Sequence, residues 1–249
     1  MKSIYIKIAG LFVELVCRHD EYIKFLCQSF LLPKKPINID ISIQVEDEEL
    51  IKMNDVPGGF IVPEGNREFY KLHKLLRKEI LAYDCLIMHG TAIKVDDYGL
   101  VFTADTGTGK STLADLWKEV LGPRVSYIND DWPLIRICNN KVYLESTPWC
   151  GYRRLYGGDS VPLKAVIFIE RSTIVHVQDV DKNLVITELL KRACTLYQSL
   201  SNEDKLYKLF EKIIFKYKYD IYHCVSYNTQ EELVSEYDIP KKKTCVIHN

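Results

Sequence analysis

The glycine-rich run at residues 104–111, ADTGTGKS, constrains the fold more than any other part of the chain. It follows a strand-like run at 99–103 and precedes apolar residues with helical spacing at 113, 116, 117, 120 and 121. A strand, a glycine-rich loop and a helix in this order are typical of a phosphate-binding loop. The pattern predicts an α/β core that holds a nucleotide at the end of a strand. The alternative is a polar turn that only caps the helix.

Phosphate binding needs many donors around a small polyanion, and glycines let backbone N–H groups approach it. Lys110 can reach the β- and γ-phosphate oxygens, and the hydroxyl of Ser111 can bind Mg²⁺. The usual pattern has glycine where this chain has Ala104, so we expect a slightly different first turn because alanine disfavours a positive φ. The predicted nucleotide contacts are Asp105, Thr106, Gly107, Thr108, Gly109, Lys110, Ser111 and Thr112.

Two adjacent carboxylates, Asp130 and Asp131, close a strand-like run about 20 residues after the lysine. A Walker-B type carboxylate binds Mg²⁺ at such a place in phosphoryl-transfer enzymes. Neighbouring side chains of an extended chain point to opposite sides, so different roles are expected. One would accept the proton of the acceptor hydroxyl and the other would hold metal-bound water. The candidate metal ligands are thus Ser111, Asp131 and Asp130, and a solvated turn is the alternative.

A strand-like run is predicted at 85–95. His89 and Gly90 are expected to end a strand that neighbours the strand before the phosphate loop. The motif order is MHGT at 88–91, GLVFTADTGTGKS at 99–111 and INDD at 128–131. This order resembles HPr kinase/phosphorylase and the wider group of phosphoenolpyruvate-carboxykinase-like P-loop kinases. The motifs cover about residues 85–137, and a similar order of elements extends to about residue 225.

The resemblance implies an α/β kinase with a mixed sheet. Carried over, Lys110 and Ser111 bind phosphates and Mg²⁺, and His89 lies at the γ-phosphate. Asp130 is the general base, with Asp131 near the metal, so the implied catalytic residues are Asp130, His89 and Lys110. The family's base also serves a reverse, phosphorylase reaction, and the family is oligomeric, which implies a homo-oligomer here.

One segment departs from the family pattern. A Leu-Glu-Ile-Arg-Gly run with a metal-linked glutamate is absent, and residues 146–154 read STPWCGYRR. This segment resembles the Pro-Trp-x-Gly part of short HPr-kinase-like proteins found beside peptide-modifying enzymes, which implies an acceptor other than HPr. Arg153 and Arg154 are candidates for contacts with a phosphate or an acceptor carboxylate, or else they decorate a surface turn. Glu145 is a candidate substitute for the missing glutamate.

The rest of the pattern predicts a small sheet-rich α+β N-terminal lobe at 1–65 and a P-loop kinase-like domain at 66–249. A proline- and glycine-rich hinge is expected at 54–66. A helix at 67–83 is expected to pack against the following domain. Strands are predicted at 4–8, 11–16, 39–45, 99–103, 124–128, 134–137, 142–144, 163–169 and 221–225, and later helices at 185–200 and 204–217.

Composition limits the partners. Thirty-three basic and 34 acidic residues give a net charge of −1, which argues against nucleic acid and anionic membranes as partners. The eight cysteines include no C-x-x-C pair, which argues against a zinc site. No apolar run or leader-like segment is found, so a cytoplasmic protein is expected.

Together these features predict a kinase that uses ATP and Mg²⁺ to phosphorylate a hydroxyl of a peptide, a protein or a small metabolite. One alternative is an enzyme like phosphoenolpyruvate carboxykinase. Another is a regulatory module that binds nucleotide without catalysis. ATP and GTP remain open as the nucleotide.

Overall fold

The structure is a computed structural model that describes residues 1–46, 62–158, 160–169 and 223–224. It divides the chain into two units. The first comprises Met1–Leu86 with Thr147–Trp149, and the second comprises Ile87–Ser146 with Cys150–Asn249. The boundary predicted at residue 65 coincides with the start of a helix that belongs to the first unit. No helix in the described part of the chain has the length and apolar character needed to cross a membrane.

The first unit contains a three-stranded sheet made of β1 (Lys2–Ile8), β2 (Leu11–Cys17) and β3 (Ile41–Gln44). β2 pairs antiparallel with β1 and parallel with β3. Buried and exposed side chains alternate along the strands, which is the period-two pattern of a sheet with one covered face. The strands predicted at 4–8, 11–16 and 39–45 are confirmed. Helix α1 (Asp20–Leu26) follows β2.

Helix α2 (Glu64–Glu79), continued by a 3₁₀ turn at Ile80–Tyr83, confirms the predicted helix. Its buried stripe, Leu72, Leu76 and Ile80, packs in the first unit, where α2 contacts β3 and α1. The expectation that this helix packs against the following domain stays a prediction. A small sheet needs a covering layer, and α2 supplies it.

Glu68 explains how α2 is fixed. Its buried carboxylate accepts the backbone N–H groups of Arg18 and His19 at 2.8 and 3.0 Å, at the start of α1. Trp149 also belongs to this unit. Its ring stacks on Phe69, and its indole N–H donates to the carbonyl oxygen of that residue at 2.9 Å.

The remaining described strands are β4 (Cys85–Ile87), β5 (Thr91–Val95), β6 (Tyr98–Thr103), β7 (Val125–Asn129), β8 (Leu134–Cys138), β9 (Lys141–Glu145), β10 (Val161–Ile169) and β11 (His223–Cys224). They form a mixed sheet in the order β4-β8-β9-β10-β6-β5-β7, with β11 beside β10. The unit boundary falls within β4, and the other strands belong to the second unit. β10 is parallel to β6 and β11 and antiparallel to β9. β5 is antiparallel to both β6 and β7.

Helix α3 (Lys110–Leu121) packs on the β5, β6 and β7 part of this sheet. Trp117 and Phe102 are both almost completely buried in the resulting core, with ring centroids 6.0 Å apart. Gly122 ends the helix with a φ of 59°. The predicted strand, loop and helix around the phosphate loop are confirmed, and so is a mixed α/β fold.

The run from residue 85 to Val95 was expected to be one strand next to β6, and this is wrong. It forms β4, which lies beside β8, and β5, which lies beside β6. The chain turns at His89 and Gly90. Gly90 passes so close to β6 that a Cβ on it would lie 2.9 Å from the carbonyl oxygen of Phe102. Because β5 is antiparallel to β6, it begins where β6 ends, so His89 still comes close to the phosphate loop.

β11 confirms part of the strand predicted at 221–225. The strands predicted at 124–128, 134–137, 142–144 and 163–169 are confirmed with small shifts in their ends. The helices predicted at 185–200 and 204–217 lie outside the described residues, as does most of the hinge predicted at 54–66.

Candidate functional site

The loop predicted to bind phosphate lies between β6 and α3 and contains two glycines with positive φ. Gly107 and Gly109 have φ angles of 81° and 116°, in the region that favours glycine. Gly109 is also the N-cap of α3, so the positive end of the helix dipole faces the loop. Ala104 lies outside the positive-φ region, and alanine therefore fits there. The glycines stand where the backbone curl requires them.

Lys110 is buried inside this curl. Its ammonium donates to the carbonyl oxygens of Ala104 and Asp105 at 3.1 and 3.3 Å. Thr108 closes the loop from the other side, with its hydroxyl donating to the Asp105 carbonyl at 2.9 Å. An ammonium group carries three donor hydrogens, so one group can hold the loop and contact an anion.

Thr91 joins the phosphate loop to the acidic pair. Its hydroxyl lies 3.4 Å from the hydroxyl of Ser111, on the first turn of α3. It also donates to the carbonyl oxygen of Asp130 at 3.3 Å. Sequence reasoning assigned no role to this completely buried threonine. The only available signal was its place in the MHGT motif.

Asp130 is held by backbone groups. Its Oδ1 accepts the N–H of Gly151 at 2.7 Å, and its own N–H donates to the carbonyl oxygen of Leu155 at 3.0 Å. Burial raises the pKa of Asp130 above its usual value, although the Gly151 N–H acts in the opposite direction. A carboxylate with a raised pKa is a stronger base than an exposed one.

Gly151 is the second residue that sequence reasoning missed. A Cβ at this position would lie 2.9 Å from Oδ2 of Asp130 and 3.1 Å from its Cγ. Only a residue without a side chain permits this close backbone approach. The glycine of the PWCG run thus shapes the environment of the predicted base.

Asp131 has a different partner from Asp130. Its Oδ1 lies 3.2 Å from Nε2 of His89, whose ring packs against Trp132 with centroids 5.1 Å apart. The side-chain oxygen of Asn129 accepts the N–H groups of Asp131 and Trp132 at 2.9 and 2.7 Å. This turn fixes the directions of the two carboxylates.

The donors available for a metal are one hydroxyl and the acidic pair. In the described part of the chain, no three His, Cys, Asp or Glu side chains converge as a metal site. Mg²⁺ at phosphoryl-transfer sites usually takes one or two carboxylates together with substrate phosphates and waters. The predicted ligands Ser111, Asp130 and Asp131 are of the kinds that such a site uses, one hydroxyl and two carboxylates.

The remaining candidates have other partners. Arg153 forms a forked pair with Asp115 of α3 at 2.6 and 2.9 Å and donates to the hydroxyl of Tyr127 at 2.8 Å. Glu145 accepts from Nε of Arg136 at 2.6 Å, on the neighbouring strand. Arg154, with a φ of 53°, lines a separate cavity beside β7.

No family model and no curated protein matches the chain. Among solved structures it is similar to the Hpr(Ser) kinase/phosphatase from Coxiella burnetii, with 13% sequence identity and a TM-score of 0.26. The match covers 45% of this chain and 99% of that chain. A TM-score at this level establishes neither a shared family nor a shared activity.

Proposed function

We propose that the chain is an ATP- and Mg²⁺-dependent kinase of the HPr kinase and phosphoenolpyruvate carboxykinase type, which phosphorylates a hydroxyl of a peptide, protein or small metabolite. One observation carries the proposal. Asp130 carries a buried carboxylate with a raised pKa, and its main-chain carbonyl accepts a hydrogen bond from Thr91, whose hydroxyl lies 3.4 Å from the hydroxyl of Ser111 in the phosphate loop. A site that only binds nucleotide has no need of such a base.

The nucleotide would bind at residues 105–112, where the loop N–H groups and Lys110 surround the β- and γ-phosphates. Bound next to Ser111, Mg²⁺ would neutralise the negative charge on these oxygens. Asp131 contacts His89 through one carboxylate oxygen, and its second oxygen would hold a metal-bound water. His89 would contact the γ-phosphate.

In the transfer step, Asp130 accepts the proton of the acceptor hydroxyl. The hydroxyl oxygen forms a bond to the γ-phosphorus while the bond from phosphorus to the β,γ-bridging oxygen breaks. ADP leaves with the electrons of the broken bond, and the acceptor becomes a phosphate ester. The protein supplies position and charge, which dominate catalysis in this class of reaction.

The test is incubation of the purified chain with γ-labelled ATP, Mg²⁺ and peptides encoded by neighbouring genes. A kinase transfers the label to an acceptor. A binding module gives magnesium-dependent affinity for ATP without labelled product, and a carboxykinase instead makes phosphoenolpyruvate from oxaloacetate. Lys110→Ala should abolish nucleotide binding. If calorimetry detects no magnesium-assisted affinity of the wild-type chain for a nucleotide, the proposal is wrong.

A further inference from the structure

Arg153 lies between the two residues that hold Asp130. Gly151, two positions earlier, donates its N–H to Oδ1 of Asp130 at 2.7 Å. The carbonyl oxygen of Leu155, two positions later, accepts the N–H of Asp130 at 3.0 Å. The N–H of Arg154 donates to the carbonyl oxygen of Gly151 at 2.9 Å and closes the turn that carries Arg153. The place of Arg153 is therefore tied to both supports of Asp130.

The side chain of Arg153 reaches the helix that follows the phosphate loop. Its Nη1 and Nη2 donate to the two carboxylate oxygens of Asp115 on α3 at 2.6 and 2.9 Å. Nη2 also donates to the hydroxyl of Tyr127 on β7 at 2.8 Å, and this hydroxyl donates to the Asp115 carboxylate. A forked pair of guanidinium and carboxylate fixes direction as well as distance. The turn at residues 151–154 is thus fastened to α3.

Asp115 brings this contact close to the phosphate loop. It follows Ser111 by four residues on α3, and residues four apart lie on the same side of a helix, one turn from each other. The hydrogen bond from Arg153 holds the pKa of Asp115 below its usual range, so the pair stays charged at neutral pH. A charged contact therefore joins the helix that presents Ser111 to the segment that supports Asp130.

We propose that Arg153 is a positioning residue for phosphoryl transfer, which acts through Gly151 and Leu155 to keep Asp130 in place relative to the phosphate loop. The inference rests on the proposed kinase function. Catalysis by positioning is sensitive to distance, and a misplacement of about 1 Å can cost about 10²-fold in rate. Arg153 acts without touching the nucleotide or the acceptor, because its fork is directed at the chain's own carboxylate.

The test compares Arg153→Ala with a matched control, Arg124→Ala. Arg124 forms a forked pair with Asp96 in the turn between β5 and β6, at the end of β6 opposite to the phosphate loop. The two pairs are similarly exposed, with the arginines 24% and 27% exposed and the aspartates 40% and 47% exposed. Partly exposed pairs contribute little to stability, so both variants should unfold close to the wild-type temperature.

Transfer of label from γ-labelled ATP gives kcat, and calorimetry gives the Kd for MgATP. Arg153→Ala should lower kcat about tenfold or more with little change in Kd, whereas Arg124→Ala should change neither. Asp115→Ala breaks the same pair from the helix side and should give a similar loss. In the Asp130→Asn chain, which lacks the base, Arg153→Ala should cause no further loss, whereas a merely structural effect would add.

Hydrogen exchange gives a readout that does not need activity. The N–H of Gly151 is held by Asp130, so it should exchange about tenfold or more faster in Arg153→Ala than in the wild type. The control Arg124→Ala should leave this exchange unchanged. Arg153→Lys keeps the charge without the fork and should recover part of both the lost kcat and the lost protection.

Three results overturn the inference: an unchanged kcat in Arg153→Ala, an equal loss in Arg124→Ala, or a full further loss in the Asp130→Asn chain. A higher KM for the acceptor at unchanged kcat also overturns it, since Arg153 would then contact the acceptor directly. If the wild type transfers no label, the proposed function itself fails. Unchanged exchange at Gly151 in Arg153→Ala would overturn the positioning role separately, whether or not the wild type is active.

Discussion

Gly151 donates its backbone N–H to Oδ1 of Asp130 across 2.7 Å, and a Cβ on Gly151 would lie 2.9 Å from Oδ2 of the same carboxylate. The two residues are 21 positions apart in the chain. The same backbone thus orients the carboxylate and leaves no space for it to move towards residue 151. A side-chain partner could rotate away, whereas a backbone donor is as rigid as the segment that carries it.

Gly151→Ala should reduce phosphoryl transfer while nucleotide binding persists. The added methyl group displaces the carboxylate of Asp130, and a misplaced base loses part of the contribution of general base catalysis, about 10²–10⁴-fold in total. Rates of label transfer and calorimetry with MgATP measure the two effects. Tyr152→Ala is the matched control, since the next side chain along is 96% exposed. Full transfer by Gly151→Ala would show that the close contact has no catalytic role.

Asp130→Asn should keep the affinity for nucleotide and lose transfer by about 10²–10⁴-fold, because the amide cannot accept the proton. Burial raises the pKa of Asp130 in the folded chain, so the ionised carboxylate costs stability at neutral pH. The amide removes this cost. Thermal unfolding at pH 7 should therefore give an equal or higher midpoint for Asp130→Asn. A variant that retains wild-type transfer would rule out the assignment of Asp130 as base.

The rate of transfer should fall on acidification at a higher pH than an exposed aspartate would give, about 3.9. Only the ionised carboxylate can act as a base, and burial shifts its protonation upwards. The free energy of unfolding should change in the opposite direction and rise as the pH falls. A pKa that is raised in the folded state means that the folded chain takes up the proton more readily than the unfolded chain does. A profile of kcat/KM against pH, beside unfolding curves at the same pH values, measures both. A midpoint below the ordinary aspartate value would contradict the role of burial.

Thr91→Val should remove the hydrogen-bonded link between the phosphate loop and the acidic pair. Valine has nearly the same shape but no hydroxyl, so the contacts with Ser111 and with the Asp130 carbonyl are both lost. We expect a loss of about 1 kcal/mol in the free energy of unfolding. Slower transfer should accompany it, measured by denaturant unfolding and single-turnover kinetics. Thr91→Ser keeps the hydroxyl and should behave like the wild type in both.

The sequence predicted the parts of the fold that depend on local pattern. The loop chemistry at Gly107 and Gly109 and the apolar stripe of α3 each reflect a local rule, and the structure follows them. The prediction of a single strand from Cys85 to Val95 was wrong because almost all side chains of this run are buried. The run therefore lacks the alternation of apolar and polar residues that would mark where one strand ends. The turn at Gly90 depends on the carbonyl of Phe102, which the local sequence does not display.

The residues of the candidate site could also be predicted only in part. Asp130, His89 and Lys110 belong to short motifs that are visible in the sequence. The contacts of Gly151 and Thr91 join positions far apart in the chain, and no spacing rule connects them. The sequence analysis treated Arg153 and Arg154 alike, either as contacts for an anion or as surface residues. The structure gives these two arginines different surroundings.

The segment after Tyr152 has a consequence for the edge of the sheet. A strand at the edge of a sheet offers N–H and C=O groups that can pair with strands of other molecules. Here residues 155–157 pair with the end of β7 and with the residue that follows it, through bonds at Ile128 and Asp130. Substitutions that release residues 155–157 should therefore promote association between molecules and free the main chain of Asp130, so that solubility and activity decline together.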